Sequence, residues 1–350
     1  MDILAADIGG TNSRFCLFSH EGGVLTNVGS TVVSSRHEDF SGLLRHLFEC
    51  WPGDAERLRN VARLSFAAAG PVRDGRISMT NASFSVDARE ARKLFPLASF
   101  LLMNDFEAQA WACLSPVLDG AELLMPGRLA SCDASCPDSE SVSGEASAPG
   151  AGAFRRLAGT DDARAPVAVL GAGTGLGAAW LLPGGGRPFV LPSEGGHMAF
   201  PFEGAEEQAF AAFLQQKRGA PVTAEHVLSG PGLALLHEHL TGRSEAPQEF
   251  TRREGFADSD VCRLFARFYG RFCRMAALAL LPQAVVITGG VTEKTPALVR
   301  HPEFSREFLR AQGGQLAFLE TVPVRLNRHP QSGLWGAACA AVLAEAESWA

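Results

Sequence analysis

The sequence predicts an α/β fold in which short buried strands alternate with helices. Short apolar runs recur along the chain, and many are followed by segments whose apolar residues repeat at helical spacing. Two glycine-rich turns, one at Gly9-Gly10 and one at residues 171–177, each connect two apolar runs. The 350 residues suffice for two domains, or for one large domain with an insertion. Alternating strands and helices pack as α/β layers with buried strands.

The chain begins with a strand, a glycine turn and a second strand. Residues 3–8 form an apolar run that contains Asp7, Gly9 and Gly10 interrupt it, and residues 14–18 resume it. Residues 39–50 then show helical spacing, and residues 61–69 predict a buried strand that ends at Gly70-Pro71.

The next predicted helix begins near Asp87. Glu90 follows Asp87 by three residues, which predicts a capping box. Residues 99–103 predict a strand with Asn104 and Asp105 at its carboxyl end, and residues 106–114 predict a helix.

Residues 127–165 differ in composition from the rest of the chain. Ser, Ala, Gly, Asp and Pro dominate there without apolar periodicity, which predicts a mobile surface insertion rather than a domain.

The second half repeats the opening pattern of strand, glycine turn and strand, at residues 167–170, 171–177 and 178–182. Residues 189–191 predict a further short strand. The remaining predicted elements are helices at residues 205–219 and 256–280, a strand at 284–287 that stops at Gly289-Gly290, and a closing helix at 333–344 that should pack on the first domain.

Composition excludes several classes of protein. The net charge of −7 argues against a general nucleic-acid binder, because neutralising phosphates needs a surplus of Lys and Arg. We expect no membrane partner, since no apolar stretch approaches the roughly 18 residues of a membrane span. The eight cysteines form no Cys-x-x-Cys pair, and no signal peptide is recognisable, so we expect free thiols and a cytoplasmic location.

The two glycine turns favour binding of anionic oxygens. Each exposes backbone N–H groups without side chains in the way, and each carries a threonine, Thr11 or Thr174. Two such turns suggest a duplicated domain with both turns facing one phosphate tail. For either turn alone, an ordinary hairpin is an equal alternative. A dinucleotide fingerprint is rejected because Leu176 stands where its third glycine should be and a strand follows. A P-loop fails because no Gly-Lys-Ser/Thr follows either turn.

Polar residues that could bind a substrate follow two of the predicted strands. Asp105 could accept a proton from an attacking hydroxyl that Asn104 orients. The alternative is that Asp105 only caps the helix that begins at Phe106. Two glycines between Glu194 and His197 make a tight turn that could hydrogen-bond adjacent sugar hydroxyls.

Other acidic and histidine residues give weaker signals. No third ligand is spaced for a metal beside Glu194 and His197. The pair His237 and His239 predicts a solvated helix face, and Glu225 is unremarkable by spacing alone.

These segments together resemble the bacterial glucokinase family, which shares a superfamily with actin, hexokinase and the Hsp70 ATPase. The similarity covers nearly the whole chain apart from the insertion, and the ordered set is specific although each segment alone is not. The segments are Asp7-Ile-Gly-Gly-Thr-Asn-Ser-Arg14, Gly70-Pro71, Met79-Thr-Asn81, Asn104-Asp105, Gly171-Ala-Gly-Thr-Gly-Leu-Gly177, Glu194-Gly-Gly-His197, Glu225-His-Val-Leu-Ser-Gly-Pro-Gly-Leu233 and Gly289-Gly290.

The resemblance implies a two-domain actin-like ATPase (ribonuclease H-like) fold with the active site in the interdomain cleft. Residues 1–115 plus 331–350 would form the small domain and residues 116–330 the large one. The implied reaction is ATP-dependent phosphorylation of glucose at the C6 hydroxyl. The resemblance also implies Mg²⁺ as a cofactor and a homodimer.

The resemblance further assigns roles to individual residues. Asp105 would be the general base, and Asp7 would lie near Mg²⁺, usually through water. The implied sugar-binding residues are Asn81, Asn104, Asp105, Glu194, His197 and Glu225. The implied ATP-binding residues are Ala6, Asp7, Ile8, Gly9, Gly10, Thr11, Asn12, Gly173, Thr174, Gly175, Gly289 and Gly290.

Three alternatives stay open at this stage. One is a sugar-responsive regulator, which in this superfamily carries a helix-turn-helix before the first glycine turn. We expect none here, because Asp7 is the seventh residue. Another is a sugar sensor without kinase activity, which the intact Asp105 and glycine turns disfavour. The third is a kinase for another hexose.

Overall fold

The computed structural model describes residues 1–79, 84–128, 165–184, 187–219 and 221–343. The strands are β1 (Asp2–Ile8), β2 (Asn12–Glu21), β3 (Val24–Ser34), β4 (Arg63–Ala68), β5 (Val72–Arg73), β6 (Arg76–Ser78), β7 (Ser85–Asp87), β8 (Ser99–Asn104), β9 (Glu122–Met125), β10 (Val167–Ala172), β11 (Leu176–Leu182), β12 (Phe189–Ser193), β13 (Ala284–Thr288) and β14 (Val324–Leu326). The predicted insertion lies outside the described residues except at its two ends.

The helices lie between and after these strands. They are α1 (Phe40–Cys50), α2 (Ala55–Arg59), α3 (Ala88–Leu94), α4 (Asp105–Trp111), α5 (Gly204–Arg218), α6 (Ala224–Val227), α7 (Gly230–Thr241), α8 (Pro247–Phe250), α9 (Asp260–Leu280), α10 (Gly290–Lys294), α11 (Ala297–Arg300), α12 (Pro302–Phe308), α13 (Gly313–Thr321) and α14 (Ser332–Leu343). Short 3₁₀ turns occur at Ala112–Leu114, Pro116–Leu118, Gly195–His197 and Phe256–Asp258.

Two sheets share one topology. The first has the order β3-β2-β1-β4-β8, and the second has the order β12-β11-β10-β13-β14-β9. In each sheet the first two pairings are antiparallel and the next two are parallel. The second sheet has one additional strand, β9, which pairs antiparallel with β14 at the edge of the sheet. The prediction of an α/β fold is therefore confirmed, and the two predicted strand–turn–strand units occupy equivalent places, β1–β2 and β10–β11.

Helices cover both faces of the two sheets. Helices α1 and α3 pack on one face of the first sheet, in a core that includes Leu43, Leu44 and Ala91. Helix α14 packs on its other face, where Leu334 joins the same core as Ile3. The closing helix thus packs as predicted on the first sheet. Helix α9 packs on the second sheet. Phe265 and Phe268 of the helix lie in one core with Leu170 and Ile287 of the sheet.

Helix α4 packs between the two sheets. Ala108 and Trp111 lie in the core of the first sheet together with α14. Ala110, and Phe106 beside it, lie in a core of the second sheet with Val169. The short helix that begins with Asp105 therefore touches both halves of the molecule.

The structure corrects two local predictions in the first half. Asp87 caps α3 by accepting a hydrogen bond from the backbone of Arg89. Glu90 does not complete a capping box, because its carboxylate accepts hydrogen bonds from the backbone N–H and the hydroxyl of Ser41 in α1, at 2.8 and 2.9 Å. Tertiary pairing between α1 and α3 replaces the local interaction. The edge strand β3 was not predicted.

Two further corrections concern the second half. The helix predicted at residues 256–280 is a 3₁₀ turn followed by α9, and Ser259 caps α9 through the N–H of Cys262. His237 is buried, because its ring stacks on Phe250 with 4.0 Å between ring centroids, so the predicted solvated face is wrong at this residue. No helix among the described residues is long and apolar enough to cross a bilayer.

Candidate active site

The first glycine turn joins β1 to β2 and is closed by its own backbone. The N–H of Gly9 donates to the carbonyl of Asn12 at 3.2 Å, and a Cβ at position 9 would lie 2.7 Å from that oxygen. Thr11 and Asn12 are exposed at the tip, while Ala6 and Ile8 are buried in the strand below. The turn therefore presents backbone groups to solvent at the end of a fixed strand, as anion binding requires.

Asp7 lies opposite Arg14 in the register of this hairpin. Its Oδ2 is 3.3 Å from the Nη1 of Arg14, and the Arg14 side chain is 53% exposed. Burial raises the pKa of Asp7, and the charge of Arg14 opposes that effect. A carboxylate whose negative charge is disfavoured by burial is stabilised by a cation.

The second glycine turn is held against two other glycine segments. Within the turn, the N–H of Gly173 donates to the carbonyl of Gly175 at 2.8 Å. The N–H of Gly230, the first residue of α7, donates to the carbonyl of Gly173 at 2.8 Å. Gly289 has φ +95°, and a Cβ there would lie 2.5 Å from the carbonyl oxygen of Ala172. Only glycine fits this close approach and this backbone conformation.

The three segments form one surface at the end of the second sheet. Thr174 is exposed at the tip of the turn, as Thr11 is in the first turn. Gly290 follows Gly289 as the first residue of α10. The predicted residues Gly173, Thr174, Gly175, Gly289 and Gly290 are therefore brought together.

Asn104 caps helix α4. Its Oδ1 accepts from the N–H of Phe106 at 2.8 Å, and its Nδ2 donates to the carbonyl of Gly70 at 3.1 Å. Its own N–H donates to the carboxylate of Glu107 at 2.7 Å, which completes a capping box. The capping role that the sequence left open for Asp105 therefore belongs to Asn104.

Asp105 is the first residue of α4 and follows β8 directly. Its pKa is raised to about 6, first by burial, and then by the neighbouring charges of Asp7 and Glu194. Its Oδ1 accepts from the N–H of Phe106 at 3.0 Å, which lowers the pKa in part. A carboxyl group of this pKa can accept a proton near neutral pH.

Glu194 precedes a 3₁₀ turn, Gly195–His197, that contains His197 and packs against the second glycine turn. Glu194 Oε2 is 3.5 Å from His197 Nε2, and both side chains are mostly exposed. The intervening glycines are buried, and a Cβ on Gly196 would overlap the backbone carbonyl of Leu176. Gly196 must therefore lack a side chain, because it packs against Leu176 at the end of the second glycine turn.

Glu225 lies on α6, which adjoins the same two turns. Its Oε2 accepts from the N–H of Leu176 at 3.0 Å. The neighbouring His226 accepts from the N–H of Thr223 through Nδ1, at 3.1 Å. Glu225 thus reaches the second glycine turn from the side on which Glu194 and His197 lie.

Predicted site residues from separate segments lie close enough to affect one another. Asp7 comes from the first sheet, Glu194 follows the second, and both raise the pKa of Asp105. Asn81, also predicted to bind the sugar, lies outside the described residues. Over the described part of the chain, no cluster of three or more His, Cys, Asp or Glu side chains is arranged to hold a metal by itself.

Sequence reasoning missed three contacts at this site. Arg14 was quoted in the first motif without a role, although the hairpin register places it opposite Asp7. Phe106 packs on Gly171 and Gly177. Gln109, one helical turn after Asp105, accepts from the hydroxyl of Thr288 at 3.2 Å. A signal for Phe106 did exist, because glycines at two positions of one strand pair leave room for a large neighbour.

Comparisons with known proteins agree with this architecture. A family model described as Glucokinase matches residues 4–130 and 141–344. The glucokinase of Caulobacter vibrioides (strain NA1000 / CB15N) is 31% identical over 353 residues, which cover 96% of this chain and 94% of that protein. The glucokinase of Tolumonas auensis is 30% identical over 355 residues, with 95% of each chain covered.

Solved structures show the same fold. A glucokinase from an Antarctic psychrotroph has a TM-score of 0.74 at 23% identity, with 97% of this chain and 98% of that chain covered. A ROK family glucokinase from Streptomyces griseus, in complex with glucose and AMPPNP, has a TM-score of 0.53 at 18% identity, with 97% and 98% covered.

The paired sheets and these structural neighbours define the actin-like ATPase fold, in the form that sugar kinases use. The match of the family model over nearly the full length is decisive for the family. The chain belongs to the glucokinase family and is a sugar kinase.

Proposed function

We propose that this protein transfers the γ-phosphoryl group of ATP to the C6 hydroxyl of glucose, with Asp105 as the general base. The observation that carries the proposal is the position of Asp105. It lies at the carboxyl end of β8, on a helix that touches both sheets, with a pKa of about 6. Open α/β sheets bind their ligands beyond the carboxyl ends of the strands.

Asp105 accepts the proton of the sugar hydroxyl as the oxygen attacks the phosphorus. Phosphoryl transfer is mostly positioning and charge stabilisation, so one base between two phosphate-binding turns suffices. General-base help is worth about 10²–10⁴-fold in rate. Exclusion of water when the domains close limits wasteful hydrolysis of ATP.

The sugar is held by Asn104, Glu194, His197 and Glu225, together with Asn81. The hydrogen bonds that Asn104 makes within the protein leave its amide one further donor hydrogen and one further lone pair. Glu194 and His197 are exposed and adjacent, which suits paired hydrogen bonds to neighbouring hydroxyls.

The nucleotide phosphates bind the first turn (Ala6 to Asn12) and the second turn (Gly173 to Gly175), and the adenosine lies over Gly289-Gly290. Asp7 would hold a Mg²⁺ ion through water, because Mg²⁺ keeps several waters and needs only one or two carboxylates besides the phosphates. When bound, Mg²⁺ neutralises phosphate charge during transfer. Arg14 holds the Asp7 carboxylate in place.

The assembly of the protein is part of the proposal. Two domains, residues 1–115 plus 331–350 and residues 116–330, enclose the active site in the cleft between them. The protein acts in the cytoplasm as a homodimer. Light scattering coupled to size-exclusion chromatography tests the dimer, and a mass of one chain at micromolar concentration would contradict it.

A coupled assay for ADP release tests the reaction. We expect release with glucose, Mg²⁺ and ATP, and only background release without sugar or with ADP or polyphosphate as the donor. Higher kcat/KM for mannose, glucosamine or fructose would reassign the substrate. Glucose binding without ADP release would make the protein a sugar sensor or regulator.

The variant Asp105→Asn tests the base. The amide keeps the oxygen that accepts from Phe106, so we expect glucose binding to remain detectable while turnover falls by about 10²–10⁴-fold. Near-full turnover in this variant would show that another group takes the proton.

A further inference from the structure

Phe106, the residue next to Asp105, packs on the strand pair that carries the second glycine turn. Phe106 follows Asp105 in α4, and its ring lies against the backbone of Gly171 and Gly177. A Cβ on Gly171 would lie 2.8 Å from the ring carbon Cζ, and a Cβ on Gly177 would overlap ring carbons Cγ, Cδ2 and Cε2. The ring therefore occupies the volume that two side chains would otherwise fill.

The two glycines are partners in the hairpin that carries the turn. Gly171 of β10 pairs with Gly177 of β11, and the next rung, Ala172 with Leu176, leads into Gly173 to Gly175. The ring of Phe106 thus rests one rung below the turn. Atoms in direct contact within a close-packed interior transmit small displacements.

Other contacts fix the helix on both sides of this ring. On the same helix, Gln109 accepts from Thr288, the last residue of β13 before Gly289-Gly290, at 3.2 Å. On the opposite face, Gly336 of α14 approaches so closely that a Cβ there would overlap the carbonyl of Ala108. Helix α4 therefore contacts the second sheet through Gln109 and helix α14 through Ala108.

We propose that Phe106 is a positioning residue that sets the distance between the Asp105 carboxylate and the second glycine turn. The proposal rests on the proposed function, in which Asp105 is the base and this turn holds phosphate. The ring acts through the backbone that it shares with Asp105, and the paired glycines exist to admit it. A misplacement of about 1 Å between reacting groups can cost about 10²-fold in rate.

A double-mutant cycle between positions 106 and 177 tests this contact. In Gly177→Ala the added methyl group collides with the ring, so we expect kcat to fall by about 10- to 100-fold. The KM values for glucose and ATP should change by less than about threefold, because the binding residues themselves remain. Phe106→Ala should also lower kcat. In the double variant the methyl group occupies space that the ring has left, so kcat should exceed that of Gly177→Ala alone.

Controls separate positioning from a general loss of structure. Gly120→Ala is the matched control, because its new methyl group meets no atom within 4 Å, and it should retain wild-type kcat. Thermal unfolding identifies variants that fail to fold, and Phe106→Leu replaces Phe106→Ala in that case. Wild-type kcat in folded Gly177→Ala, or independent effects in the double variant, would overturn the proposal.

Failure of the proposed function gives a different result. If the wild-type protein releases no ADP with any sugar, the kinase assignment fails. If Asp105→Asn stays active, the base is wrong. If only the positioning role of Phe106 is wrong, the wild-type protein still releases ADP with sugar and Asp105→Asn is still slowed by about 10²–10⁴-fold, while Gly177→Ala matches the wild type.

Discussion

Glu225 accepts a hydrogen bond from the backbone N–H of Leu176, with 3.0 Å between its Oε2 and the nitrogen. The same carboxylate lies where a side chain on Gly175 would be, since a Cβ there would lie 3.1 Å from the carboxyl carbon of Glu225. A residue assigned to the sugar therefore also holds the turn assigned to phosphate. Under the proposed function, this side chain couples the sugar site to the phosphate site.

Two substitutions of Glu225 separate its two roles. Glu225→Gln keeps an oxygen that can accept from Leu176 but loses the negative charge, so it should raise KM mainly for glucose. Glu225→Ala leaves the buried N–H of Leu176 without its partner, which costs about 1–3 kcal/mol and loosens the turn. It should raise KM for both glucose and ATP. Steady-state kinetics with each substrate varied in turn measure both KM values. An equal rise of the ATP KM in both variants would contradict a separate role of the Glu225–Leu176 hydrogen bond in holding the turn.

The sequence predicts those parts of the site that lie within single segments. Both glycine turns, the position of Asp105 after a strand, and the Glu194–His197 turn follow from local patterns, and the structure places them near one another. The resemblance supplied the role of Glu225, whose spacing carries no signal because its partner Leu176 is distant in the sequence.

Contacts between distant segments explain the failed predictions. Glu90 has the spacing of a capping box, but the hydroxyl and N–H of Ser41 offer its carboxylate two hydrogen bonds. His237 has polar neighbours in sequence, yet α8 brings the ring of Phe250 against it. Edge strand β3 lacks a clear alternation of apolar residues, because most of its side chains are exposed. No local pattern encodes such tertiary pairings.

The pKa of Asp105 predicts how activity depends on pH. A general base must be ionised to accept a proton, and burial raises the pKa of Asp105, the proposed base, to about 6. We therefore expect kcat/KM to be constant above about pH 7 and to fall tenfold per pH unit well below pH 6, with both substrates kept below their KM values. The residual activity of Asp105→Asn should lack this acidic limb. A wild-type limb that is absent down to pH 4.5 would contradict the assignment.

The same pKa predicts that ionised Asp105 lowers the stability of the folded protein. The folded pKa of about 6 lies above the ordinary value of 3.8, so the folded state binds the proton more tightly than the unfolded chain does. The ionised carboxyl thus lowers the free energy of unfolding above pH 6, and this penalty disappears below pH 3.8. It is at most about 3 kcal/mol at pH 8 and about half of that at pH 5.

Asp105→Asn should therefore unfold at a higher temperature than the wild type at pH 8, with a smaller difference at pH 5. Differential scanning calorimetry at the two pH values measures the effect. If Asp105→Asn unfolds at a lower temperature than the wild type at pH 8, or if its gain in unfolding temperature grows toward pH 5, burial does not disfavour the ionised carboxylate of Asp105.

A buried ion cluster connects three helices in the second half of the chain. Arg271 of α9 is 1% exposed and donates to Glu207 of α5 at 2.5 and 2.9 Å and to Glu307 of α12 at 2.9 Å. Removing one partner of a buried cluster leaves uncompensated charges and costs about 3–5 kcal/mol. Arg271→Met should therefore lower the free energy of unfolding by about that amount, although Arg274, 3.1 Å from Glu307, compensates in part.

Arg300 provides the matched control for Arg271. It donates to Glu122 at 2.8 and 2.6 Å, outside the buried cluster, and its side chain is 48% exposed, so Arg300→Met should change the free energy of unfolding by no more than about 1 kcal/mol. Urea titration at pH 7 compares the two variants. Because the loss in Arg271→Met comes from stranded carboxylates, adding Glu207→Gln and Glu307→Gln should recover part of it. If Arg271→Met and Arg300→Met are equally stable, or if the triple variant is less stable than Arg271→Met alone, the buried cluster does not act as a charge-balanced unit.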